Sequence, residues 1–82
     1  MRVKIFVSLK QGVLDPQGKA IERSLQTFGY DEVHDVRVGK FLELEVDAAS
    51  REAAEARVRE MCDKLLANPV IEDYRFEISS ES

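Results

Sequence analysis

The residues that could do chemistry in this chain are few: one histidine (His34), one cysteine (Cys62), a set of carboxylates, and the run Lys10-Gln11-Gly12-Val13-Leu14-Asp15-Pro16-Gln17-Gly18. His34 has no serine or acid at motif spacing, and its place beside Asp35 in a strand-like stretch makes it a surface imidazole rather than a general base. Cys62 falls on or beside an apolar helical stripe, the setting of a buried inert thiol, whereas a reactive thiolate needs an exposed electropositive one. One histidine and one cysteine supply no zinc-type spacing. The carboxylates Glu52, Glu55 and Glu60 alternate with Arg51, Arg57, Arg59 and Lys64 as a solvated helix face does, so no metal site is expected.

The run from Lys10 to Gly18 is richer. Asp15 followed by Pro16 opens a helix, because the carboxylate accepts from orphan amides and proline brings a preset φ with no donor to leave unpaired. Gly12 and Gly18 are not explained by that alone. They admit a tight turn, or close approach by another backbone, a ligand or a partner chain. Their spacing matches neither a P-loop nor a dinucleotide fingerprint, which argues against nucleotide binding by this chain alone.

Eighty-two residues make a single domain, expected over 1–78, with 79–82 as a polar tail that frays. A chain of this size buries only about 60 to 65% of its unfolded surface, so its own core is modest and association would help it. Twelve Lys plus Arg against sixteen Asp plus Glu, without a basic run, is a poor footprint for nucleic acid. No apolar stretch approaches the roughly 18 residues that cross a bilayer, there is no signal peptide, and the lone cysteine forms no internal disulfide. A cytoplasmic protein without membrane or nucleic-acid partners is expected.

The elements that must position these residues follow from periodicity. Val3, Ile5, Val7 and Leu9 alternate with Arg2, Lys4, Ser8 and Lys10 as a strand with one buried face, Phe6 standing on the polar side. Ile21, Leu25 and Phe28 then give a helix of about 13 residues from Asp15, stopped by Gly29 as a left-handed cap. Val33 to Val46 is strand-like throughout, and Gly39-Lys40 near its middle predicts a hairpin, with one long bent strand as the alternative. A three-residue loop or bulge puts Val36, Val38, Leu42, Leu44 and Val46 on one face and turns Phe41, Glu43 and Glu45 outward. Asp47 or Ser50 caps a second helix with the stripe Ala54, Val58, Met61 and Leu65, widened by Cys62 and Leu66, and Asn68-Pro69 stops it. Tyr74, Phe76 and Ile78 alternate in a last strand. The order β-α-β-β-α-β predicts a two-layer α+β sandwich of ferredoxin-like type, a four-stranded antiparallel sheet with both helices on one face. Homodimers or dimers of dimers are expected through a sheet edge or the open face bearing Phe6 and Phe41.

Three segments carry more character than a core requires, and they are ordered and collinear over nearly the whole chain. They are Lys10, Gly12, Val13, Leu14, Asp15, Pro16, Gly18; then Val36, Arg37, Gly39, Lys40; then Leu66, Ala67, Asn68, Pro69, Val70, Ile71, Glu72, Tyr74. Together they resemble the hallmark segments of the PurS family, the small subunit of phosphoribosylformylglycinamidine (FGAM) synthase. Phe28-Gly29 stands where that family usually has leucine-glycine. The resemblance implies a non-catalytic partner of a large ATP-dependent synthetase subunit and a glutaminase subunit in purine biosynthesis, bridging the two and assisting ammonia transfer. It implies no cofactor in this chain; ATP, magnesium and glutamine would be used by the partner subunits. Lys10, Gly12, Asp15, Pro16, Gly18, Arg37, Gly39, Lys40, Asn68, Pro69 and Tyr74 become the docking residues, with solvated hairpin charges as the alternative for Arg37 and Lys40. Two other readings stay open on layout alone. One is a small-molecule regulatory module of ferredoxin-like fold. The other is an acylphosphatase-type hydrolase, which would need an arginine where the loop after the first strand has only Lys10.

Overall fold

A computed structural model describes residues 1–79. Strand β1 (Arg2–Leu9) lies at the centre of a three-stranded antiparallel sheet, flanked by β2 (Lys40–Glu45) and β3 (Glu72–Ser79) in the order β2-β1-β3. The alternation in β1 decides which face packs: Val3, Ile5 and Val7 are buried, while Arg2, Lys4 and Ser8 face out. Register carries the same division across the sheet. Val3 and Ile5 sit between Leu44 and Leu42 on one side and Ile78 and Phe76 on the other. On the outer face Phe6 pairs with Phe41, their ring centroids 5.1 Å apart, and the Arg75 guanidinium lies 4.0 Å from the Phe6 centroid. Phe41, Glu43 and Glu45 therefore point outward as their spacing requires.

Helix α2 (Arg51–Met61) is the cover. Ser50 caps it, its hydroxyl accepting from the Ala53 amide at 3.1 Å, and Ala54 and Val58 drop into the core. The helix continues into a wide π-type turn, Cys62–Leu66, closed by the Ala67 amide donating to the Cys62 carbonyl at 3.0 Å. That turn holds one residue more than an α-turn, so the stripe passes through Cys62, fully buried, and Leu65 is rotated out to 81% exposure. Leu65 is thus not part of the core stripe, contrary to its α-helical spacing. The turn stops at Asn68-Pro69 as expected.

Two expectations fail in the first half of the chain. Residues 33–38 are not a fourth strand: the Gly39-Lys40 hairpin does not form, and β2 begins only at Lys40, opposite Val7. Helix α1 (Pro16–Thr27) does not lie on the sheet beside α2 either, and its contact with any strand is marginal. It projects from the end of the sheet where β1 stops, and residues 33–39 return along it to β2 as a strap. Helix and strap form an arm. The molecule is accordingly elongated, 51 × 28 × 14 Å, almost twice the roughly 27 Å that an eight-residue strand spans. The observed fold is a small α+β unit with a three-stranded antiparallel sheet and two helices, not the four-stranded sandwich. Of the expected tail, Ser79 closes β3 opposite Arg2, and residues 80–82 lie outside the described region.

Candidate functional site

The three segments singled out by sequence meet at one end of the sheet. Antiparallel pairing brings this about, since β1 ends, β2 begins and β3 begins at the same end, with Leu9 opposite Glu72 and Val7 opposite Lys40. Lys10 is the junction. Its amide donates to the Ile71 carbonyl at 2.9 Å, and its carbonyl accepts from the Arg37 guanidinium at 3.1 Å and the Val13 amide at 3.2 Å. One residue's backbone therefore ties the first segment to both of the others.

Asp15 does more than cap. One carboxylate oxygen accepts from the Gly18 amide at 2.8 Å, and the other accepts from the Val38 amide at 2.7 Å, across 23 residues of chain. The side chain is buried, and two amide donors hold its carboxyl below the usual carboxylate range, the Val38 bond first and the Gly18 bond second. Glu22 repeats the device two turns further along the same helix face, accepting from the Val36 amide at 3.3 Å. Its carboxyl is likewise lowered, chiefly by that bond, with Lys19 assisting. Gln26 completes the row by donating to the Val33 carbonyl at 3.2 Å. Sequence reading missed Glu22 and Gln26. The available signal was the interval of seven and eleven residues from Asp15, which keeps all three on one side of a helix.

This clasp explains why 33–38 is not in the sheet. A strap whose amides are taken by side chains of α1 cannot offer them to a strand. Asp35 sits at φ 53° within it, a left-handed residue that breaks an extended run.

The glycines divide into two kinds. A methyl group at Gly18 would collide with the Val36 carbonyl oxygen, and one at Gly39 would lie 2.5 Å from the Val7 carbonyl oxygen. The backbone that approaches these two is the chain's own. Gly12 is different: its φ is +85° and nothing stands within 4 Å of the missing side chain, so its requirement is the turn.

The third segment is also internally wired. The Asn68 amide oxygen accepts from the Val70 amide at 3.1 Å, and the Asn68 amide donates to the Glu72 carboxylate at 2.6 Å. The Tyr74 hydroxyl donates to Asp63 at 3.1 Å, and its ionisation is pushed up by burial and by that carboxylate. An open cleft of about 240 Å³ lies between Lys10, Asp63, Pro69 and Tyr74, with Cys62 at its floor. The Cys62 thiol has no exposure, and burial, with Asp63 adding to it, raises its pKa, which keeps it protonated and unreactive at neutral pH. His34 is exposed on the strap.

Of the residues expected to dock, Asp15, Gly18 and Gly39 thus have internal work, and Pro16 is the first residue of α1. Arg37, Lys40, Asn68 and Pro69, together with the Gly12 turn, are exposed around the junction, and Lys10 and Tyr74 are half-buried there.

A three-stranded antiparallel sheet with two helices and its three loop segments wired together at one end defines the class as a small α+β module. The family is identifiable: residues 2–80 match the model of PurS, phosphoribosylformylglycinamidine (FGAM) synthase, and the chain belongs to that family. It is 53% identical over 77 residues to phosphoribosylformylglycinamidine synthase subunit PurS of Bacillus subtilis, covering 94% of this chain and 90% of that one. The fold matches a crystal structure of B. subtilis PurS with a TM-score of 0.88 at 52% identity, over 96% of this chain and 98% of that one. It also matches a chain in the structure of PurLQS from Thermotoga maritima, with a TM-score of 0.85 at 38% identity over 93% of each. These relatives favour the synthase subunit over a regulatory module. No helix among the described residues is long and apolar enough to cross a membrane.

Proposed function

We propose that this chain is the small, non-catalytic subunit of an FGAM synthase, bridging a large synthetase subunit and a glutaminase subunit in the cytoplasm. The complex is a carbon-nitrogen ligase with glutamine as amide donor. It converts formylglycinamide ribonucleotide, glutamine and ATP into formylglycinamidine ribonucleotide, glutamate, ADP and phosphate. ATP, magnesium and glutamine belong to the partner subunits. The observation that carries this reading is the near-full-length family match, joined to likeness with a chain of PurLQS.

The physical need is plain. Ammonia freed at one active site is protonated or lost to water unless protein joins that site to the next. A subunit that docks both partners meets the need with shape alone, and the exposed Gly12, Arg37, Lys40, Asn68 and Pro69 of the junction, with the half-buried Lys10 and Tyr74, form its docking surface. Cations there reach partner carboxylates or carbonyls through charge-assisted bonds.

Reconstitution tests it. Leaving the chain out of a mixture of the two larger subunits should abolish most glutamine-dependent activity and spare activity driven by added ammonium salt. Full glutamine-dependent turnover without the chain would overturn the proposal. The docking surface is tested by Arg37→Glu with Lys40→Glu: at limiting subunit the titration midpoint should move at least about tenfold, the effect of losing more than one central charged contact.

A further inference from the structure

The strap supplies no residue to the buried core, yet side chains hold it in place, and the way they do so singles out Arg37. The amides of Val36 and Val38 face α1, where Glu22 accepts the first at 3.3 Å and Asp15 the second at 2.7 Å. Arg37 stands between them with its side chain exposed, so both of its neighbours are pinned by carboxylates of the helix. Its guanidinium crosses to the Lys10 carbonyl at 3.1 Å, at the end of β1. An arginine on a loose loop loses backbone and rotamer freedom when it docks, whereas a held one has lost it already.

Glu22 and Asp15 share the clasp but not their other duties. Asp15 also accepts from the Gly18 amide at 2.8 Å and starts α1. Glu22 lies inside the helix with its side chain 14% exposed, and outside the strap its polar partner is Lys19, 3.5 Å away on the surface. An ion pair with so exposed a lysine contributes little. Glu22 can therefore be changed without removing a cap or a core side chain. We propose that Glu22 is a positioning residue for assembly of the synthase, its hold on the Val36 amide keeping the strap in the conformation from which Arg37 meets a carboxylate of a larger subunit. The inference rests on the docking role given to Arg37 above and supplies what makes that role effective. Glu22 touches no partner and acts through Arg37. Once the strap is released, the docking conformation is only a fraction of the population, and the apparent dissociation constant rises by the inverse of that fraction.

The test is a reconstitution titration, following glutamine-dependent activity as the chain is added to the two larger subunits. Glu22→Ala should raise the midpoint about three- to tenfold and leave the plateau at saturating chain unchanged, because assembly is weakened and chemistry is not. Glu22→Gln, whose amide oxygen accepts the same Val36 N–H, should recover most of that loss. Arg37→Ala is itself shifted, and adding Glu22→Ala to it should shift the midpoint no further, since the clasp has nothing left to position. Backbone relaxation of the isolated chain gives a measure that needs no partner. The Arg37 amide should have the order parameter of rigid backbone, about 0.85, falling below about 0.6 in Glu22→Ala while β1 keeps its value. The proposal is overturned by an unshifted midpoint in Glu22→Ala when Arg37→Ala is shifted, or by additive shifts in the double variant. It is equally overturned by an Arg37 amide already below about 0.6 in the unaltered chain, a result that depends on no variant's folding. A midpoint that Arg37→Ala leaves unmoved would instead remove the docking role itself, and the proposal with it.

Discussion

Asp15 uses both carboxylate oxygens on backbone amides, one local and one on the strap, so a single side chain starts α1 and fixes where the chain returns. Asp15→Asn keeps the shape but replaces one acceptor oxygen with a donor that faces an N–H. The expected outcome is faster amide exchange at Val38 and its neighbours in the strap, with the amides of β1 unchanged. Exchange that speeds equally in strap and sheet would show that the two are not separate units. Gly39 makes a complementary case. A methyl group there meets the Val7 carbonyl, part of the rigid central strand, so Gly39→Ala should destabilise the chain by about 1–3 kcal/mol in urea unfolding, as overpacking does. Gly12→Ala meets no atom, and its cost is that of a positive φ alone.

At the scale of elements, the sheet with α2 and the arm are held by different forces. Val58 is fully buried between α2 and the sheet, and Val58→Ala should cost about 2 kcal/mol of unfolding free energy, lost from apolar burial and a residual cavity. The strap is held largely by carboxylates, which makes it responsive to pH. Asp15 and Glu22 have folded pKa values below their ordinary ones of 3.8 and 4.5, so their contribution is complete above those values. It drains away as pH falls through them toward the folded values, because protonation then competes with the amide bonds. Protection factors at Val36 and Val38, taken against the intrinsic exchange rate at each pH, should fall below about pH 4.5 before those of the sheet do. Simultaneous loss in both would locate the acid sensitivity elsewhere.

Taken whole, the molecule is a thin, elongated body with more surface than its mass requires, and that shape ties stability to concentration. The homodimer expected from the sequence would make the melting temperature rise as the chain is concentrated, because mass action favours the paired folded state. A melting temperature constant over a hundredfold range of concentration would separate folding from pairing.

Much of this was legible beforehand, for reasons that can be named residue by residue. β1, β3, the N-terminal cap of α1 and the stop at Asn68 are local matters, set by alternation, by Asp15-Pro16 and by Asn68-Pro69. The stripe Ala54, Val58 and Cys62 was readable too, but Leu65 was misplaced, because a π-type turn changes the period without leaving a mark in composition. The three segments were found as separate strings of residues, and their family is the one the comparisons show. Their union at Lys10 depends on which strand ends lie together. The strand-like run 33–38 and the stripe of α1 misled for one shared reason: both have the pattern of packed elements, but pattern does not say against what they pack. Sequence alone determined the elements, the capping chemistry and the family. Tertiary structure decided that two carboxylates of α1 take the amides of Val36 and Val38, because hydrogen bonds between groups 14 and 23 residues apart follow from where the chain folds back, which no local pattern encodes.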